Sequence, residues 1–309
     1  MKTPSETIVF FGSGPVASKS LELLAQSFSV EAIITKPFKG HGRSDKSVQT
    51  MARNLGIPVI EASDKKELSE KVKVASFSSR AAVLIDFGII VAQDVIDKFP
   101  MGIVNSHFSI LPEWRGPDPI SFALLSGQSK TGVSLMLLVE KMDEGPIIAQ
   151  GIYQIDPADT AISLTGNLID LSYALLKNIL PDYLANKVEP QPQEVASTLT
   201  YGSANISYSR KLTKDDSLID WRKPASVIER EIRAFIEWPK SRTKLGEVEV
   251  IITRAVVASE TGPVGRLQII NKRLIVYCNE QALEILQIKP AGKSDMSAEA
   301  FLAGYSKNL

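Results

Sequence analysis

Asn105, His107 and Asp143 are the residues of this 309-residue chain whose types and spacing suit chemistry on a carbonyl group. Asn105-Ser106-His107 follows the apolar run Gly102-Ile103-Val104, so an amide and an imidazole stand two positions apart where a strand meets its loop. Alternation puts both side chains on one face, as a site at the edge of a parallel sheet requires. A carboxylate follows in Met142-Asp143-Glu144-Gly145. Amide, imidazole and carboxylate suffice for acyl transfer: two groups to hold an oxyanion and one to manage a proton. No serine or cysteine has an obvious base beside it, so the transfer is expected to be direct.

The elements that must carry these residues alternate. Ile8–Phe11 reads as an apolar strand, Gly12-Ser13-Gly14-Pro15 as its turn, and helical spacing follows through Leu21, Leu23 and Leu24. Further strands are expected at Val30–Thr35 and Ala81–Ile85, with a helix at Val48–Leu55 and another strand, residues 131–139, delivering Asp143 to a loop. Asp159 or Thr160 can cap a helix that runs to about Leu184. Strand, helix, strand in repetition predicts an α/β fold: a Rossmann-like, doubly wound parallel sheet. Gly12-x-Gly14-x-x-Ala17 superficially fits a dinucleotide fingerprint, but the second strand ends Ile34-Thr35-Lys36 with no carboxylate for a ribose. The glycines are therefore read as a tight turn.

Val188–Gln193 is broken by prolines and polar, the best linker candidate. After a helix around Ala225–Phe235 come short strands at Val248–Ile252, Arg266–Ile270, Leu274–Cys278 and Ala282–Ile288, which suggest a small barrel or sandwich. The expected division is a catalytic domain over 1–189, a linker over 190–205 and a β-rich C-terminal domain over 206–309.

Composition narrows the functions. No apolar run is long enough to cross a bilayer, and the short polar Met1–Thr7 shows no signal-peptide pattern. A single cysteine, Cys278, excludes an internal disulfide and fits a cytoplasmic protein. It lies in a β-like run, where a buried inert thiol is expected. With only His41 and His107 and no Cys-x-x-Cys, a histidine-rich zinc site is excluded and no metal is expected. The net charge is zero, but residues 1–205 hold 18 Lys and Arg against 22 Asp and Glu, and residues 206–309 hold 17 against 13. A basic tail behind an acidic body suits contact with a polyanion.

The stretch from Asn105-Ser106-His107 through Ser109-Ile110-Leu111-Pro112, with Asp143 downstream, resembles the signature of the folate-dependent formyltransferases. Lys211–Asp216, Ile219-Asp220-Trp221, Arg233-Ala234-Phe235 and Trp238-Pro239 resemble the middle of the methionyl-tRNA branch of that family. Leu286–Lys293 and Met296-Ser297-Ala298 resemble its C-terminal end, so the likeness covers nearly the whole chain. It implies transfer of the formyl group of 10-formyltetrahydrofolate to the α-amine of initiator methionyl-tRNA, with Asn105, His107 and Asp143 catalytic and the C-terminal domain an OB-like, tRNA-binding barrel. Ser109, Ile110, Leu111 and Pro112, with Phe87, Gly88 and Ile89, would form the folate pocket. Gly40-His41-Gly42-Arg43 resembles the family's loop on the tRNA acceptor stem, which assigns Lys39, His41 and Arg43 to tRNA. Two departures stand out: His41 in place of an arginine, and Pro117-Asp118-Pro119 after Trp114-Arg115-Gly116. A monomer is expected. Two alternatives remain: a formyl-folate enzyme acting on a small acceptor, such as an amino-sugar nucleotide amine or water, and a non-catalytic RNA-binding protein. The intact Asn105/His107/Asp143 set speaks against the latter.

Overall fold

The computed structural model describes residues 6–38, 48–196, 205–306 and 309. The chain divides into two compact units: 1–116, 130–154 and 165–208 in the first, and 117–129, 155–164 and 209–309 in the second.

The first unit is built on a seven-stranded sheet. Its strands are β1 (Thr7–Gly12), β2 (Ser29–Thr35), β3 (Val59–Glu61), β4 (Ala81–Ile85), β5 (Ile103–His107), β6 (Lys130–Leu137) and β7 (Ile147–Gln154), in the spatial order β3-β2-β1-β4-β5-β6-β7. The first five are parallel, joined through α1 (Gly14–Leu24), α2 (Val48–Leu55), α3 (Lys65–Val74) and α4 (Gln93–Ile96), and β6 and β7 are antiparallel additions. This is the Rossmann-like sheet expected, mostly rather than wholly parallel. Strands β1 and β4 are almost wholly apolar because both faces are covered, and β5 is buried throughout although it carries Asn105, Ser106 and His107. On one face Val9, Phe11, Ala82, Leu84 and Ile103 form a core with Leu68, Val72 and Phe99, where Phe11 meets Phe87 and Phe99 edge-on.

Helix α6 (Ala161–Leu184) buries Leu164, Leu168, Ser172, Leu176, Leu180 and Leu184, one residue every fourth position. The Thr160 hydroxyl accepts the Ser163 amide, capping the helix start as expected. Ser172 bonds the Ser106 hydroxyl of β5 at 2.7 Å, which commits Ser106 to this side of the sheet and Asn105 and His107 to the other. Gly151 of β7 lets the helix come close: a Cβ there would stand 2.9 Å from Leu175.

The second unit is β-rich. Strands β8 (Ser241–Leu245), β9 (Val248–Ala258), β10 (Leu267–Ile270), β11 (Arg273–Tyr277) and β12 (Ala282–Pro290) form an antiparallel sheet in the order β10-β11-β12-β9-β8, and β13 (Met296–Ser297) pairs with β12. Helices α7 (Ala225–Ala234) and α8 (Ala298–Tyr305) supply Ile228, Ile232 and Phe301 to its core. Cys278 is buried there, its thiol pushed up to about 11 by burial, the inert state expected. Helix α5 (Pro119–Ser126) belongs to the same unit, and Asp118 at its start finds a use. Its carboxylate accepts the Leu212 amide at 3.0 Å and its own amide donates to the Ser209 hydroxyl, so this departure from the family pattern ties the 209–212 segment to α5. Among the described residues no helix is long and apolar enough to cross a membrane.

Candidate active site

The site forms at the C-terminal end of β5, beside the point where strand order reverses between β1 and β4, the usual place for a ligand in an open α/β sheet. Asn105 and His107 are the third and last residues of β5, paired with Met136 and Ser134 of β6, and both are buried. Asp143 comes from the turn after β6 and reaches back over them. Its Oδ1 accepts from Asn105 Nδ2 at 3.4 Å and lies 3.7 Å from His107 Nδ1, while its Oδ2 accepts the Gly116 amide at 2.8 Å. The three residues read from the sequence therefore converge.

The imidazole is oriented by a backbone group. His107 Nε2 stands 3.0 Å from the Trp114 carbonyl oxygen. A carbonyl can only accept, so the Nε2 nitrogen carries the proton and Nδ1 is the nitrogen turned to Asp143. In the neutral ring Nδ1 and the carboxylate are both acceptors, which fits a separation longer than a hydrogen bond. A second proton on the ring makes the same pair an ion pair.

Two glycines make the Asp143 turn possible. Asp143 adopts φ 53°, a left-handed conformation that costs an ordinary L-residue about 1–2 kcal/mol. A Cβ on Gly145 would stand 1.7 Å from the Leu137 carbonyl oxygen, so only glycine lets the chain double back here. The amide of Gly116 then faces Asp143 after a left-handed Trp114 at φ 56°.

Sequence reasoning missed the residue that holds this turn from behind. Gln193, expected in a linker, is 3% exposed; its Nε2 donates to the carbonyls of Asp143 (2.7 Å) and Gly145 (2.9 Å). Its Oε1 accepts from Arg115 Nε and Nη2, at 3.2 and 2.7 Å. Arg115 is likewise buried, with Glu144 3.5 Å from its Nη1. Ser207 completes the frame, its carbonyl and hydroxyl accepting the Arg115 and Trp114 amides. The only sequence signal for Gln193 was its setting after Pro190 and Pro192, which restrict the backbone on either side of Gln191.

The two segments expected to line a folate pocket differ in what they leave available. In residues 108–112 the backbone is already bonded: Ser134 Oγ accepts from the Leu111 amide and donates to the Ser109 carbonyl, and Gln150 Nε2 donates to the Leu111 carbonyl. Ser109, Ile110 and Leu111 are buried, and the Leu111–Pro112 peptide is cis. The segment serves as an apolar wall with its polar groups turned inward. After β4, Gly88 and Ile90 are exposed, and the amides and carbonyls of residues 87–90 bond no other group among the described residues. The loop's backbone donors and acceptors are thus unengaged among the described residues, with Phe87 and Ile89 packed on the core below.

Lys39, His41 and Arg43 lie outside the described residues. Among the described residues no three His, Cys, Asp or Glu side chains are grouped to hold a metal.

Comparison with known proteins fits this geometry. The formyl transferase family model matches residues 7–180, and the model of the formyl transferase C-terminal domain matches residues 211–306. A methionyl-tRNA formyltransferase of Chloroflexus aurantiacus is 32% identical over 96% of both chains, and one of Roseiflexus is 33% identical over 96% of this chain and 92% of its own. The fold is shared with an N-formyltransferase from Helicobacter canadensis, solved with folinic acid and dTDP-3-aminofucose. That match has a TM-score of 0.68 and 22% identity, covering 91% of this chain and 98% of the other. The matches run through both units, with β5 and the Asp143 turn inside the first, and the chain belongs to the methionyl-tRNA formyltransferase family of one-carbon transferases.

Proposed function

We propose that this chain transfers the formyl group of 10-formyltetrahydrofolate to the α-amine of initiator methionyl-tRNA, giving formylmethionyl-tRNA for translation initiation in the cytoplasm. The observation that carries the reading is the convergence of Asn105, His107 and Asp143 at the carboxyl end of β5, in a chain that matches a relative over 96% of both lengths.

The amine attacks in its neutral form; a free α-amino group has a pKa of about 8, and an aminoacyl ester lowers it. Attack on the formyl carbon makes a tetrahedral centre with an oxyanion and a positively charged nitrogen. Asn105 has two amide hydrogens, of which Asp143 engages one, so the second is available to the oxyanion. His107 is anchored through Nε2, and in the charged ring its Nδ1–H, shared between Asp143 and the oxyanion, is the second donor. Asp143 beside both is counter-charge to the ring and takes the proton released by the nitrogen, directly or through water. As the oxyanion collapses, the carbon–N10 bond breaks, and that proton passes to the departing N10 amine so that tetrahydrofolate leaves neutral. The folate sits between the 87–90 loop, whose free backbone groups suit the donor-and-acceptor edge of a pterin, and the apolar wall of Ile110 and Leu111. The formyl donor supplies an activated one-carbon amide; every other part of the step falls to these side chains.

In the same reading residues 1–189 do the chemistry, and residues 206–309, with their excess of positive charge, hold the tRNA backbone. Lys39, His41 and Arg43 approach the acceptor stem. The 190–205 segment, besides linking, contributes Gln193 to the catalytic part. The test is transfer of labelled formyl from 10-formyltetrahydrofolate by the purified full chain to charged initiator tRNA, charged elongator tRNA and a dTDP-amino sugar. Labelled initiator methionyl-tRNA supports the reading; label on the amino sugar with none on tRNA overturns it.

A further inference from the structure

The side-chain amide of Gln193 is used completely. Its two carbonyl lone pairs take Arg115 Nε and Nη2, and its two hydrogens go to the carbonyls of Asp143 and Gly145. Reversing the amide would set its NH2 against the guanidinium and its oxygen against two carbonyls, so the orientation is unambiguous. The partners lie on both sides of the site. Asp143 and Gly145 form the turn that carries the carboxylate. Arg115 precedes Gly116, whose amide holds the other end of that carboxylate at 2.8 Å. Gln191 fixes the segment in place by exchanging two backbone bonds with Ile147, at 2.7 and 2.8 Å.

We infer that Gln193 is a positioning residue for the transfer, holding Asp143 in its left-handed conformation by the backbone and so setting where its carboxylate meets Asn105 and His107. The inference rests on the role given to Asp143 above. Gln193 is buried with its amide fully engaged, so the role is indirect. Its effect belongs to the catalytic step, because a misplacement of about 1 Å at a reacting group costs on the order of 10²-fold in rate.

Two substitutions separate this role from simple support of Arg115. Gln193→Met removes every bond. Gln193→Glu keeps an oxygen for the guanidinium and loses both hydrogens for the turn. The full-length variants are assayed for kcat, for the KM toward the formyl donor and for the pH dependence of kcat, with thermal unfolding and folate-analogue binding as controls for folding. Both variants should lose on the order of 10²-fold in kcat with folate KM little changed, and the limb of the pH profile set by Asp143 should move. In the Asp143→Asn background, adding Gln193→Met should cost little more, since both act on one group. Should Gln193→Met not fold, Gln193→Glu alone carries the test. A Glu variant with wild-type kcat, or losses from Gln193 and Asp143 that multiply independently, would overturn the inference. If Asp143→Asn alone keeps wild-type kcat, the role of Asp143 falls, and this inference falls with it. Active Gln193 variants beside an inactive Asp143→Asn refute the positioning role alone.

Discussion

At the scale of single residues, the reaction places different demands on His107 and Asp143. In the proposed mechanism His107 acts on the developing oxyanion, so His107→Ala should lower kcat on the order of 10²–10³-fold while affinity for a folate analogue stays near wild type. Equal turnover in that variant removes the imidazole from the mechanism. Asp143→Asn keeps an oxygen for the Gly116 amide, and Gln193 still holds the main chain, so the turn should survive. The variant cannot take a proton. Its kcat should fall and its pH–rate profile lose a limb, and an unchanged profile would place the base elsewhere. These residues were legible because strand alternation is a local rule: Val104 and Ser106 face one way, so Asn105 and His107 face the other. Gln193 was not legible, because its partners are a guanidinium and two carbonyls that the folded chain brings to it, and no spacing encodes them. Nor does the sequence show that Ser134 and Gln150 engage the backbone of Ser109 and Leu111.

At the scale of elements, strands β1, β2, β4 and β5 and helices α1 and α2 were readable from apolar runs and 3.6-residue spacing, while β3, α3 and α4 were not. Nor were strands β7 and β8. Gly151 interrupts β7, where a small residue admits α6, and β8 reads Ser-Arg-Thr-Lys-Leu with only its ends buried. The short 3₁₀ turn Lys214–Ser217 shows what a charged motif is for. Asp216 Oδ2 accepts the Thr213 amide at 2.7 Å and the Thr213 hydroxyl at 2.9 Å, and receives Arg210 Nη1 at 2.8 Å. The Arg210 guanidinium, helped by Thr213, holds this carboxyl well below the usual carboxylate range. A lowered carboxylate pKa stabilises fully above the unfolded value of about 3.9, and the stabilisation is lost as pH falls through the folded value. Asp216→Asn should cost about 1 kcal/mol near neutral pH, the usual worth of such a cap. Urea unfolding between pH 5 and pH 2 (roughly the window of carboxylate titration) should show the wild type losing this advantage while the variant changes less. Parallel curves would contradict the assignment. Cys278 offers a second check on the same unit: with its thiol near 11 and no exposure to speak of, a thiol reagent should label it at neutral pH only after denaturation.

At the scale of the whole molecule, a Rossmann-like sheet is joined in one chain to a β-rich C-terminal part, residues 206–309, that carries a net positive charge. If that charge holds a tRNA, binding must weaken steeply as salt rises, because each neutralised phosphate releases counterions. A small acceptor would show almost no such slope. Direct transfer is the central claim, and it rests on the roles proposed for Asn105, His107 and Asp143, which converge at the end of β5 with no serine or cysteine side chain in their hydrogen-bond set among the described residues. A rapid-quench single turnover tests it most directly, with formyl-labelled 10-formyltetrahydrofolate, charged initiator tRNA and an excess of the full chain. The label should pass from folate to tRNA in one phase with none bound covalently to protein at any time, and His107→Ala should slow that phase without altering the partition. Label trapped on the protein before it reaches the tRNA would contradict the account.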